Sequence, residues 1–328
     1  MTDSAISGPV ESKISNTFKI VQIGCGVVGY AYVGAYKAKG NIVIGIEASK
    51  RLIEEYKSET TMYHIEDDLN GILGVDFVMI SINTPLKGTK LDLSYLFSSV
   101  PNVATIVKNN PDVIVIIRST VEPGTTKRYK SDLEAVVGKP VIVLFQPEFL
   151  RAKSALEDAR NPWHIVLGAE DGINISKLWL LYTNYASIKD ITLLSIEEAE
   201  SLKIFHNCFN AAKISFFNQA DRLVKRMNER KELKMDINKI IGTLTQTCEG
   251  LLNPKYGTTA GHAYYGTCLP KDSAELARLE QEFGLEAPLF TAVVQVNDVT
   301  KKTDKAEVLD GDHHMRFNIL QSKKTEIN

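Results

Sequence analysis

Short apolar runs recur along the first half of the chain, and each stops in polar or turn-forming residues. The first is Phe18-Lys19-Ile20-Val21-Gln22-Ile23-Gly24; the second is Ile42-Val43-Ile44-Gly45-Ile46, finishing at Glu47. Three more cover 75–82, 113–117 and 141–145. They end in Asn83-Thr84-Pro85, in Arg118-Ser119-Thr120-Val121-Glu122-Pro123-Gly124, and in Gln146-Pro147-Glu148-Phe149-Leu150. Near-continuous apolar strands are those buried on both faces of a parallel sheet. Ligands in such sheets bind beyond the carboxyl ends of the strands, so the polar tails are where chemistry is expected. Two weaker runs, 163–168 and 191–194, complete this region.

The pattern then changes period. From Ser195 to about Arg230 there is no proline or glycine, and apolar residues recur at spacings of three and four. Ser195 with Glu198 three residues on forms a capping box, which predicts one long helix. An amphipathic helix is predicted over 236–252, broken by Asn253-Pro254, then helices over 273–283 and 288–300.

Between the first two strands the chain reads Gly24-Cys25-Gly26-Val27-Val28-Gly29 and enters a helical stretch that ends near Gly40. Strand, Gly-x-Gly-x-x-Gly, helix, strand and terminal acid is the order of a dinucleotide-binding unit. Gly24 permits the tight turn, Gly26 lets the backbone approach a pyrophosphate, and Gly29 lets helix and strand pack closely. Glu47 can accept hydrogen bonds from the adenosine ribose and would repel a 2′-phosphate, which favours NAD over NADP. A glycine-rich turn that merely closes a βαβ unit is the alternative. The predicted class is α/β: an N-terminal Rossmann-type parallel-sheet domain, then a mainly α-helical domain with a long interdomain helix. The expected divisions are a flexible 1–17, a NAD-binding domain at 18–194, a helical central or dimerisation domain at 195–300, and a tail at 301–328.

Composition narrows the class without naming a reaction. The chain has 328 residues, enough for two domains, with 44% hydrophobic and 24% charged residues. A formal net charge of −2 argues against a general nucleic-acid or membrane-surface binder. No apolar run approaches the ~20 residues that span a bilayer, and the polar start lacks the apolar core of a secretory signal. Cys25, Cys208, Cys248 and Cys268 are widely spaced, so reduced thiols in a cytoplasm are the simplest account. His313-His314 lie in the tail without further ligands, and no metal is expected.

The densest chemistry lies at Ala263-Tyr264-Tyr265-Gly266-Thr267-Cys268-Leu269-Pro270-Lys271-Asp272. A cysteine beside a cation and a carboxylate is a candidate nucleophile, although a lone cysteine is more often a small buried hydrophobe. The stretch resembles the Gly-aromatic-Gly-Gly-x-Cys-Phe/Leu-x-Lys-Asp signature of the UDP-glucose/GDP-mannose dehydrogenase family. Asn83-Thr84-Pro85, Arg118-Ser119-Thr120-Val121 and Pro147-Glu148-Phe149-Leu150 are similar to three further segments of that family. Glu197, Glu200, Lys203, Asn207, Lys213-Ile214-Ser215 and Asn218 are similar to its long-helix framework. The resemblance covers roughly residues 18–300. Members continue into a third domain that grips the nucleotide diphosphate, and the last residues here show no strand–helix alternation. The family usually has a second glutamate four residues after the first, where this chain has Ala152, and glycines where it has Ala263 and Tyr265.

The resemblance implies a site residue by residue. Cys268, Asp272, Lys203, Asn207, Thr120 and Glu148 would be catalytic. Gly24, Gly26, Val27, Val28, Gly29, Glu47, Thr84, Pro85, Ser119 and Lys271 would hold NAD. Phe149, Leu150, Lys203, Asn207, Lys255 and Tyr264 would contact the substrate. Read without the resemblance, Ser119 and Thr120 are equally a turn or helix cap, and Lys203 with Asn207 an exposed helical pair. The implied activity is a two-step oxidation of a nucleotide sugar, UDP-glucose to UDP-glucuronate, through a Cys268 thiohemiacetal and thioester. Alternatives are the same chemistry on GDP-mannose or a UDP-N-acetylhexosamine, or a catalytically weak NAD-binding subunit. The expected partners are the sugar and a second copy, paired through 195–230.

Overall fold

The computed structural model describes residues 17–174, 176–183, 191–254, 256–258, 261–266 and 268–303. Lys255, His313-His314 and the tail beyond 303 lie outside them. Two compact units are present, one up to Asn207 and one from Cys208 onward.

The first unit is built on β1 (Lys19–Ile23), α1 (Val27–Ala38), β2 (Ile42–Glu47), α2 (Lys50–Tyr56), β3 (Thr61–His64) and β4 (Phe77–Ile80). It continues through α3 (Ser94–Ser98), α4 (Val100–Asn109), β5 (Ile114–Ile117), α5 (Thr125–Val137), β6 (Ile142–Phe145) and α6 (Ala155–Arg160). Then come β7 (Ile165–Gly168), α7 (Ser176–Thr183), β8 (Ile191–Leu194) and the start of α8 (Ile196–Lys231). The sheet order is β8-β7-β6-β5-β4-β1-β2-β3. All neighbours are parallel except β6 and β7, which meet antiparallel at Phe145 and Gly168.

Strand alternation divides the core between two layers. Val115 and Ile117 face one layer with Val103, Tyr129 and Ala199, while Ile114 and Ile116 face the other with Ala35, Tyr36 and Leu178. Five runs were legible as strands because both faces are apolar. β3 was not anticipated: its four residues, Thr61-Met62-Tyr63-His64, lie half-exposed at the sheet edge and carry no apolar run.

The capping box forms as read, with Ser195 N donating to Glu198 Oε2 at 2.9 Å and Glu198 N to Ser195 Oγ at 3.4 Å. One turn into α8, the fully buried Glu200 accepts Gly124 N at 2.6 Å and Thr126 N at 2.8 Å, capping α5 from outside. This ties the start of α8 to the loop that follows β5.

The second unit holds the rest of α8 with α9 (Ile237–Thr247), α10 (Glu249–Leu252), α11 (Leu269–Glu282) and α12 (Leu289–Thr303). The single helix expected over 236–252 is two, because Cys248 is extended at φ −79°, ψ 115°. The helix expected from Ser273 starts four residues earlier, with Pro270 in its first turn, where a missing N–H is harmless. Leu223, Phe283 and Phe290 centre its core, with Met227, Leu276 and Leu279 packed around them.

A buried carboxylate organises this unit. Glu280 accepts Gln219 Nε2, Phe290 N, Thr291 N and Thr291 Oγ1 at 2.8–3.1 Å, capping α12. Burial raises its pKa, but the hydrogen bonds outweigh it and hold it below the ordinary glutamate value. The stabilisation is therefore present above the unfolded value of about 4.3 and is lost as pH falls through the lower folded value. We expect Glu280→Gln to lower stability by about 2 kcal/mol at pH 6. That gap should narrow toward pH 3, as urea unfolding of both proteins across this range will report.

Candidate active site

The carboxyl ends of β1, β2, β4, β5 and β6 converge on a cavity of about 680 Å³. Gly24, Gly26, Val27, Val28, Glu47, Thr84, Ser119, Thr120 and Glu148 line it. Gly29 sits beneath the turn rather than in the cavity. A Cβ at Gly29 would stand 1.9 Å from Gly24 O, whereas one at Gly26 would meet nothing within 4 Å. Position 29 is thus closed by backbone and position 26 opens toward a ligand. Gly26 caps α1 without a side-chain hydrogen bond, which leaves the N-terminal N–H groups of the helix for an anion.

Glu47 closes one end of the cavity, and its carboxylate is already engaged. Cys25 N donates to Oε2 at 2.7 Å, and Ala48 N and Ser49 N donate to Oε1 at 2.9 Å. Those bonds aim the carboxylate, and Oε2, with a single N–H donor, keeps a second lone pair for a ribose hydroxyl. Between its glycines, Cys25 is buried, and desolvation, with Glu47's charge adding, pushes its thiol up to about 12. It is a packing residue.

Ser119 and Thr84 cross-link the loops after β4 and β5. Ser119 Oγ accepts Ile82 N at 2.8 Å, and Thr84 Oγ1 donates to Thr120 O at 2.7 Å. Ser119 does not cap α5, whose N-cap is Gly124. Pro85 is half-buried beside Thr84.

At the far end, Lys203 of α8 meets Glu148. Its Nζ lies 2.8 Å from Glu148 Oε1 and also donates to Glu148 O, and the two side chains are 5% and 13% exposed. Leu150 N donates to the other carboxylate oxygen at 2.8 Å. Lys203 stands 5.8 Å from the Phe149 ring, and His206 packs on that ring at 4.7 Å. Burial, with Lys203's charge adding, lowers the His206 pKa. Asn207 follows one turn beyond Lys203 and is exposed.

The cysteine stretch belongs to the second unit. Cys268 is exposed at the N-cap of α11, and Lys271 and Asp272 form an exposed pair at 3.1 Å in its first turn. Buried Asn297 clamps the preceding loop: it accepts Tyr264 N at 2.8 Å and donates to Tyr264 O at 3.1 Å. Tyr264 OH reaches Ser273 Oγ at 3.1 Å. Ala263 and Tyr265 are not among the positive-φ residues, so the loop carries them without left-handed strain.

Several lining residues carried no sequence signal. Tyr95, Ser98 and Asn102 of α3 and α4 border the cavity but belong to no spaced motif. Asn297 was legible only as one residue of a last helix.

Comparison with known proteins decides the relationship. Residues 65–186 match the NAD binding domain of the UDP-glucose/GDP-mannose dehydrogenase family, and 197–299 match its central domain. The chain belongs to this family. Its members are NAD-dependent oxidoreductases, this chain is of that class, and its coenzyme is NAD. The glycine turn, the open N-terminus of α1, the carboxylate at Glu47 and the size of the cavity suit that dinucleotide.

The chain is 29% identical over 305 residues to UDP-glucose 6-dehydrogenase of Campylobacter jejuni, covering 87% of this chain and 73% of that protein. It is also 29% identical over 308 residues to GDP-mannose 6-dehydrogenase of Pseudomonas putida, covering 85% and 68%. A solved GDP-mannose dehydrogenase ternary complex from Pseudomonas aeruginosa superposes with a TM-score of 0.77 at 24% identity, covering 87% and 69%, and shows the shared fold. The chain spans 73% of the Campylobacter protein, 54% of a UDP-glucose 6-dehydrogenase of Rickettsia conorii and 32% of a Methanocaldococcus jannaschii protein. Among the described residues no helix is long and apolar enough to cross a membrane.

Proposed function

We propose that this chain is a nucleotide-sugar 6-dehydrogenase that takes UDP-glucose to UDP-glucuronate. The observation that carries the reading is the buried Lys203–Glu148 pair, whose glutamate lines the NAD cleft. An ammonium has three N–H donors. Two of Lys203's are engaged by Glu148, and the third would donate to a substrate oxygen.

Bound NAD supplies the hydride acceptor. Gly24, Gly26, Val27, Val28, Glu47, Thr84, Pro85 and Ser119 hold it, with Lys271 assisting. Asp272 and a water on Thr120 take the proton of the C6 hydroxyl as hydride leaves that carbon. Sγ of Cys268 then adds to the aldehyde carbon, while Lys203 and Asn207 stabilise the oxyanion. Loss of a second hydride, to a second NAD that replaces the NADH first formed, would turn this thiohemiacetal oxyanion into a thioester. Water oriented by Glu148 hydrolyses it, releasing the acid and restoring the thiol. Phe149, Leu150 and Tyr264 flank the sugar.

A second reading keeps this chemistry and changes the donor to GDP-mannose. It is favoured by the equal identity to relatives named for either sugar. We also infer pairing of two copies through α8, on which Phe205 and Phe209 are 69% and 70% exposed; a monomer mass in sedimentation would exclude it.

NADH production from purified protein with UDP-glucose, GDP-mannose and UDP-N-acetylmannosamine offered separately tests the function. UDP-glucose is expected to lead in kcat/KM by about tenfold or more. A lead by GDP-mannose transfers the assignment to that sugar. Turnover with none, despite NAD binding, contradicts the enzymatic reading.

A further inference from the structure

Below the cavity lies a buried cation for which the mechanism above has no use. Arg118 follows β5 on the face of Ile114 and Ile116 and is 1% exposed. Its Nε and Nη2 donate to Gln146 Oε1 at 2.9 and 2.7 Å, and Nη2 also reaches Tyr182 OH at 3.0 Å and Tyr36 OH. The guanidinium carbon sits 3.8 Å from the Tyr32 ring centroid. Nη1 has no hydrogen-bond partner.

These partners are an amide and phenols, and none is a carboxylate. Desolvation holds the Tyr32 and Tyr182 hydroxyls above their ordinary pKa although Arg118 opposes it, so neither is an anion at neutral pH. Among the described residues Arg118 forms no ion pair within 4.0 Å, and the nearby glutamate, Glu148, is matched by Lys203. A guanidinium stays charged under all ordinary conditions. Burying such a charge without a counter-ion is costly, and a chain that keeps one leaves an uncancelled positive field. Here the residue lines the NAD cavity, together with Ser119, Thr120, Glu148 and Glu47.

We propose that Arg118 is an electrostatic bias in the coenzyme site, favouring NADH over NAD. This rests on the assignment of the cavity to NAD. The reduced coenzyme carries one more negative charge than the oxidised one, so a fixed buried cation attracts it more strongly wherever along the cleft it acts. The same field favours arrival of the hydride and its electron pair. Tyr32, Tyr36, Tyr182 and Gln146 hold the guanidinium in place without neutralising it, which a carboxylate partner would do.

The test is the ratio of dissociation constants for NAD and NADH, measured by calorimetry on the full chain without sugar. Arg118→Gln keeps a polar group among the tyrosines, Arg118→Met fills the volume with apolar atoms, and Arg118→Lys keeps the charge. Replacing a buried charge with an apolar side chain of similar volume is often neutral or stabilising, so the methionine variant carries the test if glutamine unfolds. We expect the preference for NADH to fall about tenfold in Gln and Met and to stay within about threefold in Lys. Equal loss of affinity for both coenzyme forms, or an unchanged ratio in a folded neutral variant, overturns the proposal. Wild-type protein that binds neither form overturns the coenzyme assignment itself.

Discussion

Cys268→Ser is expected to lower acid formation by about 10³-fold or more while leaving NAD affinity unchanged. A thiolate adds readily to an aldehyde, and its thioester is activated toward water. A serine hydroxyl, which loses its proton far less readily than a thiol, does neither at neutral pH. Cys268 is exposed at the start of α11 and is not among the residues proposed to hold NAD, so the coenzyme contacts are expected to survive the substitution. An exposed position also predicts a change in stability within about 0.5 kcal/mol. Product analysis by mass spectrometry, alongside NAD titration, measures both parts. Undiminished acid from the serine variant would remove Cys268 from the chemistry.

The second large effect falls on the cradle. Gly29→Ala is expected to weaken NAD binding by about 100-fold and to destabilise the fold by about 3 kcal/mol. The added Cβ would meet Gly24 O at 1.9 Å, Gly24 C at 3.0 Å and Gln22 Nε2 at 3.2 Å. The first two are backbone atoms of a turn that cannot retreat freely, because Gly24 has φ +78° and its N–H donates to Ile46 O at 2.9 Å. Relief must therefore displace the turn or α1, and with it the N–H groups that face the pyrophosphate. Gly26→Ala separates the two contributions. Nothing stands within 4 Å of its Cβ, so stability should stay within about 1 kcal/mol while NAD affinity falls. Thermal melts and NAD titration of both variants check this; wild-type affinity in Gly29→Ala would contradict it.

Much of the cleft could be read from local pattern because its parts are local. The glycine turn, the strand before it and Glu47 lie within one βαβ unit, and β4, β5 and β6 are apolar on both faces because helices cover both. The capping box at Ser195 and Glu198 is a four-residue signal and was legible for the same reason. Long-range pairings left no such trace. Arg118 was visible as part of a short motif, but its partners lie 28, 64 and 82 residues away, and nothing in spacing identifies a buried cation among tyrosines. Glu200 is legible as part of the long-helix framework, but its two N–H donors lie 74 and 76 residues earlier and no spacing pairs it with them. The helix expected over 273–283 begins at Leu269. Pro270 begins it sooner, and this puts Cys268 at the cap and Lys271 and Asp272 in the first turn.

The measurement closest to the central claim is the number of NADH formed for each nucleotide sugar consumed by the wild-type chain. Two NADH, with the uronic acid as the product and no free aldehyde, is the expected result. One NADH with released aldehyde would contradict oxidation through a Cys268 thioester.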